Sequence, residues 1–120
     1  MHRDRFRRLV LRALNGIPPR FASYLGNVAI VIEREPTGEH LAHGDVPPGE
    51  DLFGLYVGVP LTERTSGGPS LPDRILIFQG PLERHFAPRE IPREVRRTVM
   101  HEVAHHFGIG EARLAELGLD

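Results

Sequence analysis

The segment from Pro92 to Gly108 constrains the fold more than any other part of this 120-residue chain. Pro88 and Pro92 bracket its start, and Pro92 suits the first turn of a helix, where a missing N–H costs no hydrogen bond. Gly108 is the residue type that ends a helix in the left-handed conformation. Between them Val95, Val99, Val103 and Phe107 recur at helical spacing and cluster with Met100. His101 and His105 fall on the far side, near Glu94 and Thr98, and Glu102 projects between the two faces. The apolar stripe is complete without these histidines. A helix divided in this way needs a sheet against one face and leaves a polar cleft over the other. His106 is turned about 100° from His105, lies within the apolar stripe, and reads as a partly buried, hydrogen-bonded packing residue.

The polar face carries a chemically specific pattern, His101-Glu102-x-x-His105. Histidines four apart on a helix stand one turn above the other, so both imidazoles can reach one metal ion at roughly 2.0–2.1 Å. Glu102 can flank that ion without ligating it, the position from which a carboxylate takes a proton from a metal-activated water. Gly108 then turns the chain, and Glu111 follows His105 by six residues. As a carboxylate in the first turn of a following helix, Glu111 is favoured by the helix dipole alone. Its spacing from Gly108 is also what a third metal ligand needs, and that reading is preferred. Two histidines and a carboxylate suit iron(II) as well as zinc; the His-Glu-x-x-His helix favours one Zn2+ ion.

Composition limits the alternatives. The chain has no cysteine, so disulfides and thiolate ligands are excluded and a metal must be held by His, Asp or Glu. Net charge is −1, which gives no global case for nucleic acid or membrane binding. All 15 basic residues are arginine. No apolar run approaches the roughly 18 residues of a membrane span, and the basic N-terminus is not followed by a signal-peptide core, so the expected location is the cytoplasm. Length and composition predict one domain over residues 1–120 with a single modest core.

The remaining elements follow in order. Phe6, Leu9, Val10, Ala13 and Leu14 form a helical stripe over residues 3–14, closed by Asn15-Gly16, with an arginine face read as solvated. Pro18-Pro19 opens a short helix carrying Phe21, Tyr24 and Leu25. The β-branched run 28–32 predicts a strand covered on both faces. Residues 33–49 read as loop, with His40 and His43 as surface histidines. A second strand is expected over 54–59 and a third over 74–78, joined through the Gly/Ser/Pro-rich stretch 65–70 as a hairpin or meander. Residues 80–86 form a connector with a helical turn. A short helix after Gly108 carries Leu114 and Leu117.

Several stretches resemble one family. Gly54-Leu55-Tyr56-Val57-Gly58-Val59-Pro60-Leu61-Thr62-Glu63-Arg64, Leu71-Pro72-Asp73-Arg74-Ile75, Gly80-Pro81-Leu82-Glu83-Arg84 and the run His101 to Ile109 are similar to segments of small bacterial zincin-like proteins, the minimal metallopeptidases. The resemblance implies an α+β, minimal zincin-like fold: a small mixed sheet of about three strands flanked by helices, with the His-Glu-x-x-His helix lining an open cleft. It implies a zinc site with His101 and His105 as ligands and Glu102 as general base. The family pattern has Asp at the third-ligand position, where this chain has Glu111, one methylene longer.

The function expected is zinc-dependent peptide hydrolysis, acting on a peptide or protein substrate. The alternative is a zinc-binding regulatory or adaptor module with little or no turnover. Neither nucleic acid nor membrane is expected as a partner, and a monomer is expected. Zincins commonly take substrate as an added strand on a sheet edge; residues 54–60 and 74–78 are the two candidates. Tyr24, Tyr56 and His85 are candidate oxyanion donors, and Arg64 and Arg84 read as ion-pair partners.

Overall fold

A computed structural model describes residues 1–63 and 73–119. Arg64, the stretch 65–70, and Leu71-Pro72 lie outside the described residues. In chain order the elements are α1 (Arg3–Asn15), α2 (Pro19–Ala22) running into a 3-10 turn at Ser23–Leu25, β1 (Val28–Glu33), α3 (Gly38–His43), β2 (Gly54–Val57), β3 (Asp73–Phe78), α4 (Gln79–His85), α5 (Ile91–Phe107) and α6 (Glu111–Glu116). The fold is α+β, a three-stranded mixed sheet flanked by helices, as expected. None of its described helices is long and apolar enough to cross a membrane.

The strand order is β1-β3-β2, with β1 parallel and β2 antiparallel to β3. Side chains alternate across the sheet. Ile75 and Ile77, with Ile30, Ile32 and Tyr56, face the main core. There they meet Phe6 and Val10 of α1 and Val95, Val99, Met100 and Val103 of α5, all buried. Leu55, Leu76 and Phe78 form a smaller cluster on the opposite face, with Val31 and Leu52 against it. The apolar stripe read from the sequence is therefore the buried face of α5, except that Phe107 is only half-buried, its ring 6.3 Å from those of Phe21 and Tyr24.

Four expectations are corrected. β1 is less covered than expected: among the described residues it is an outer strand paired with β3 alone, none of its side chains is fully buried, and Ala29 and Glu33 are exposed. The stretch 33–49 is not all loop, because α3 lies within it. Thr37 Oγ1 accepts from the His40 N–H, and His40 Nδ1 accepts from the Thr37 N–H, each at 3.1 Å. This reciprocal cap satisfies donors that a short helix otherwise leaves open. The ring of His40 rests 5.3 Å from that of Phe78, so it is not simply a surface histidine. Finally, residues 74–78 offer no sheet edge, since β3 is paired on both sides; of the two candidates only β2 is an outer strand.

Candidate metal centre

Gly108 closes α5 in the left-handed conformation, φ 74°, and its N–H bonds back to the carbonyls of Ala104 and His105. The Ile109 N–H also returns to Ala104 O, at 3.0 Å. This C-terminal cap turns the chain back so that α6 begins beside the polar face of α5. A Cβ at position 108 would run into the Thr62 side chain, which adds a second reason for glycine.

His101, Glu102 and His105 each bring a potential ligand atom to within 4.8 Å of the other two. The two imidazole rings lie 4.6 Å apart, as four-residue spacing on a helix dictates. Glu102 is 4% exposed, whereas both histidines open to solvent along one side. Glu102 Oε1 lies 3.1 Å from His105 Nδ1. That hydrogen bond to Glu102 raises the pKa of His105 above the ordinary histidine value; burial opposes it, and the charges of Glu102 and Glu111 add to it. Glu111, in the first turn of α6, accepts from His101 Nδ1 at 2.8 Å. Both imidazoles thus direct Nδ1 at a carboxylate, leaving Nε2 as the nitrogen that can ligate. Glu111 is joined to the trio through His101 but does not meet all three within the same distance, and its side chain is 77% exposed.

Two of the trio, His101 and Glu102, line a cleft of about 380 Å³ together with Glu111. One wall comes from Leu52, Phe53 and Gly54 at the start of β2, with Phe86 beyond α4 closing one end. Phe53 and Phe86 form an apolar corner, ring centroids 5.6 Å apart. Glu94 and Thr98 line the cleft as the helical wheel implies, yet both are buried, because Gly54 and its neighbours pack over that side of α5. Phe53, Phe86 and Arg97 were not among the sequence candidates. Arg97 had a readable signal, four residues before His101 on the same helix face; the two phenylalanines come from separate segments that only tertiary packing unites.

The proposed oxyanion donors are elsewhere. Tyr56 is buried and donates to Asp73 Oδ2 at 2.7 Å. His106 also reaches that oxygen, with Nδ1 at 2.7 Å, while its Nε2–H donates to Tyr24 O at 2.9 Å. His106 is 2% exposed, the hydrogen-bonded packing histidine expected from the wheel. The Tyr24 ring is 60% exposed and stacks edge-on against Phe107. His85 pairs with Asp51 at 2.7 Å, and Arg84 holds Asp51 at 2.9 Å as well as Glu35. Arg84 is thus an ion-pair residue, as read from the sequence.

A family model described as zincin-like metallopeptidase matches residues 25–119, and the chain belongs to that family. Among solved structures, a conserved hypothetical protein from T. thermophilus is similar in fold: TM-score 0.62 at 22% identity, covering 99% of this chain and 100% of that one. No curated protein matches. The family implies zinc binding, and the donor set fits that ion: two imidazole nitrogens with carboxylates beside them and no thiolate anywhere in the chain.

Proposed function

We propose that the protein is a zinc-dependent peptidase that hydrolyses peptide bonds in the cleft above α5. The observation that carries this reading is the trio of His101, Glu102 and His105 beside an open cleft that His101 and Glu102 line, with the carboxylate buried and the imidazoles accessible. His101 and His105 hold the ion, and Glu111 completes the set; its exposed side chain, tied among the described residues to His101 alone, is the one that turns to do so. When bound, zinc supplies Lewis acidity, polarising the peptide carbonyl and acidifying a water. Glu102 then takes the proton from the attacking water and passes it to the leaving amine nitrogen. Its burial fixes the carboxylate against the cleft wall, with few rotamers to search before reaction. β2 is the outer strand beside the cleft, and an extended peptide adds to it by main-chain hydrogen bonds. The Phe53–Phe86 corner takes one bulky apolar side chain.

The test is the conservative variant Glu102→Gln. It is expected to keep stoichiometric zinc, measured by metal analysis on untagged protein, and to lose cleavage of a broad peptide library. Equal cleavage by wild type and variant would overturn the assignment. Full zinc occupancy with no cleavage by wild type would point instead to a regulatory or adaptor module built on the same scaffold.

A further inference from the structure

Hydrolysis in this cleft builds negative charge on the former carbonyl oxygen, and a peptidase needs a donor aimed at it. Tyr56 is spent on Asp73, His85 on Asp51, and the exposed Tyr24 ring packs against Phe107. Among the described residues lining the cleft, Arg97 supplies the only arginine or lysine side chain. The hydroxyl of Thr98 is already committed to Glu94 O at 2.8 Å.

Arg97 is well placed for the task. It stands one turn before His101 on the same face of α5. It borders both the cleft and an adjoining hollow of about 400 Å³ floored by Met100 and Leu114, and these two spaces share His101, Glu111 and Arg97. A chain crossing from one to the other passes all three. The guanidinium is anchored but not consumed. Its Nη1 lies 3.5 Å from Oε1 of the buried Glu94, which Arg93 also approaches at 3.5 Å, and the Arg97 side chain is 73% exposed. Among the described residues only Glu94 pairs with it, which leaves most of its five N–H donors for a ligand.

We propose that Arg97 is a catalytic residue that donates to the developing oxyanion, an inference that rests on the peptidase reading above. Water oxygen bonds to the carbonyl carbon, the π pair moves onto the carbonyl oxygen, and Arg97 stabilises that charge while Glu102 holds the water's proton. The C–N bond then breaks, its pair goes to nitrogen together with that proton, and the carbonyl re-forms.

The experiment compares wild type with Arg97→Met, Arg97→Lys and Arg93→Met, all zinc-loaded and checked by metal analysis and circular dichroism. Arg97→Met is expected to lower kcat roughly 100- to 1,000-fold with KM changed by no more than about threefold, as for loss of an oxyanion donor. Arg97→Lys recovers part of this loss, and Arg93→Met stays near wild type. An unchanged kcat in Arg97→Met, or a loss confined to KM, overturns the inference while leaving the peptidase reading intact. If wild type cleaves no peptide, the peptidase reading falls and this inference with it; where wild type cleaves, a phosphinic peptide that mimics the tetrahedral state gives a second readout of the role of Arg97. Weaker phosphinate binding by Arg97→Met with unchanged binding of the parent peptide supports it; equal phosphinate binding overturns it.

Discussion

Gly54 occupies a position where any side chain would intrude on the proposed base. A Cβ there would stand 2.8 Å from Thr98 Cγ2 and 3.2 Å from Glu102 Oε2. The strand can cross α5 this closely only without a side chain, and that close approach is what buries Glu102. Gly54→Ala therefore forces Thr98 and the carboxylate to move. It is expected to cost about 1–3 kcal/mol of stability, the range for overpacking a filled site, read from urea denaturation. Hydrolysis should fall further than zinc content, because the base is displaced while the imidazoles lie outside the clash. A variant with wild-type stability and turnover would show that the contact does not constrain Glu102. In the sequence, this glycine stood only as the first residue of an expected strand and of a segment similar to the family. What makes it necessary is a neighbour more than forty residues away.

At the scale of elements, α5 was the most legible part of the chain because its information is local: a proline at entry, a glycine at exit and a stripe of valines between them. The same locality separated His106 from His105. The α3 helix was missed because six residues carry too little periodicity, and its sign was the cap formed by Thr37 and His40. The contents of the cleft were less legible still, since the segment before β2 and the end of α4 meet there from distant positions. Asp51 ties these two together through Arg84 and His85. Hydrogen bonds from Arg84 and then His85 hold the Asp51 carboxyl below its ordinary value of 3.8, against a smaller effect of burial. A depressed carboxylate stabilises the fold above its unfolded pKa and loses that contribution as pH falls through the folded one. Asp51→Ala should therefore unfold at lower urea than wild type at pH 7 and pH 5. The gap should close as the pH drops below about 3.8. A gap that stays constant into that acid range would mean that Asp51 acts through packing and not through its charge.

For the molecule as a whole, α5 is both the element that closes the core and the element that carries the two histidines proposed to hold the metal. Its buried face is complete without an ion: Val95, Val99 and Val103 are fully enclosed, and Met100 is nearly so. The carboxylate partners of His101 and His105 are likewise in place. Metal-free protein is thus expected to stay folded, unlike small domains whose cores depend on zinc. Zinc should then add stability by mass action, about 4 kcal/mol at a free concentration a thousand times its Kd. For a domain of this size that raises the melting temperature on the order of 10 °C. Chelator should reverse the shift without unfolding the chain. His101→Ala should abolish it, and Glu111→Ala should shrink it if that carboxylate joins the ligand set. The check is a thermal melt of each protein with zinc and with chelator. An equal zinc-induced shift in wild type and His101→Ala would remove this site as the place where the ion binds. An undiminished shift in Glu111→Ala would leave Glu111 as the partner of His101 alone.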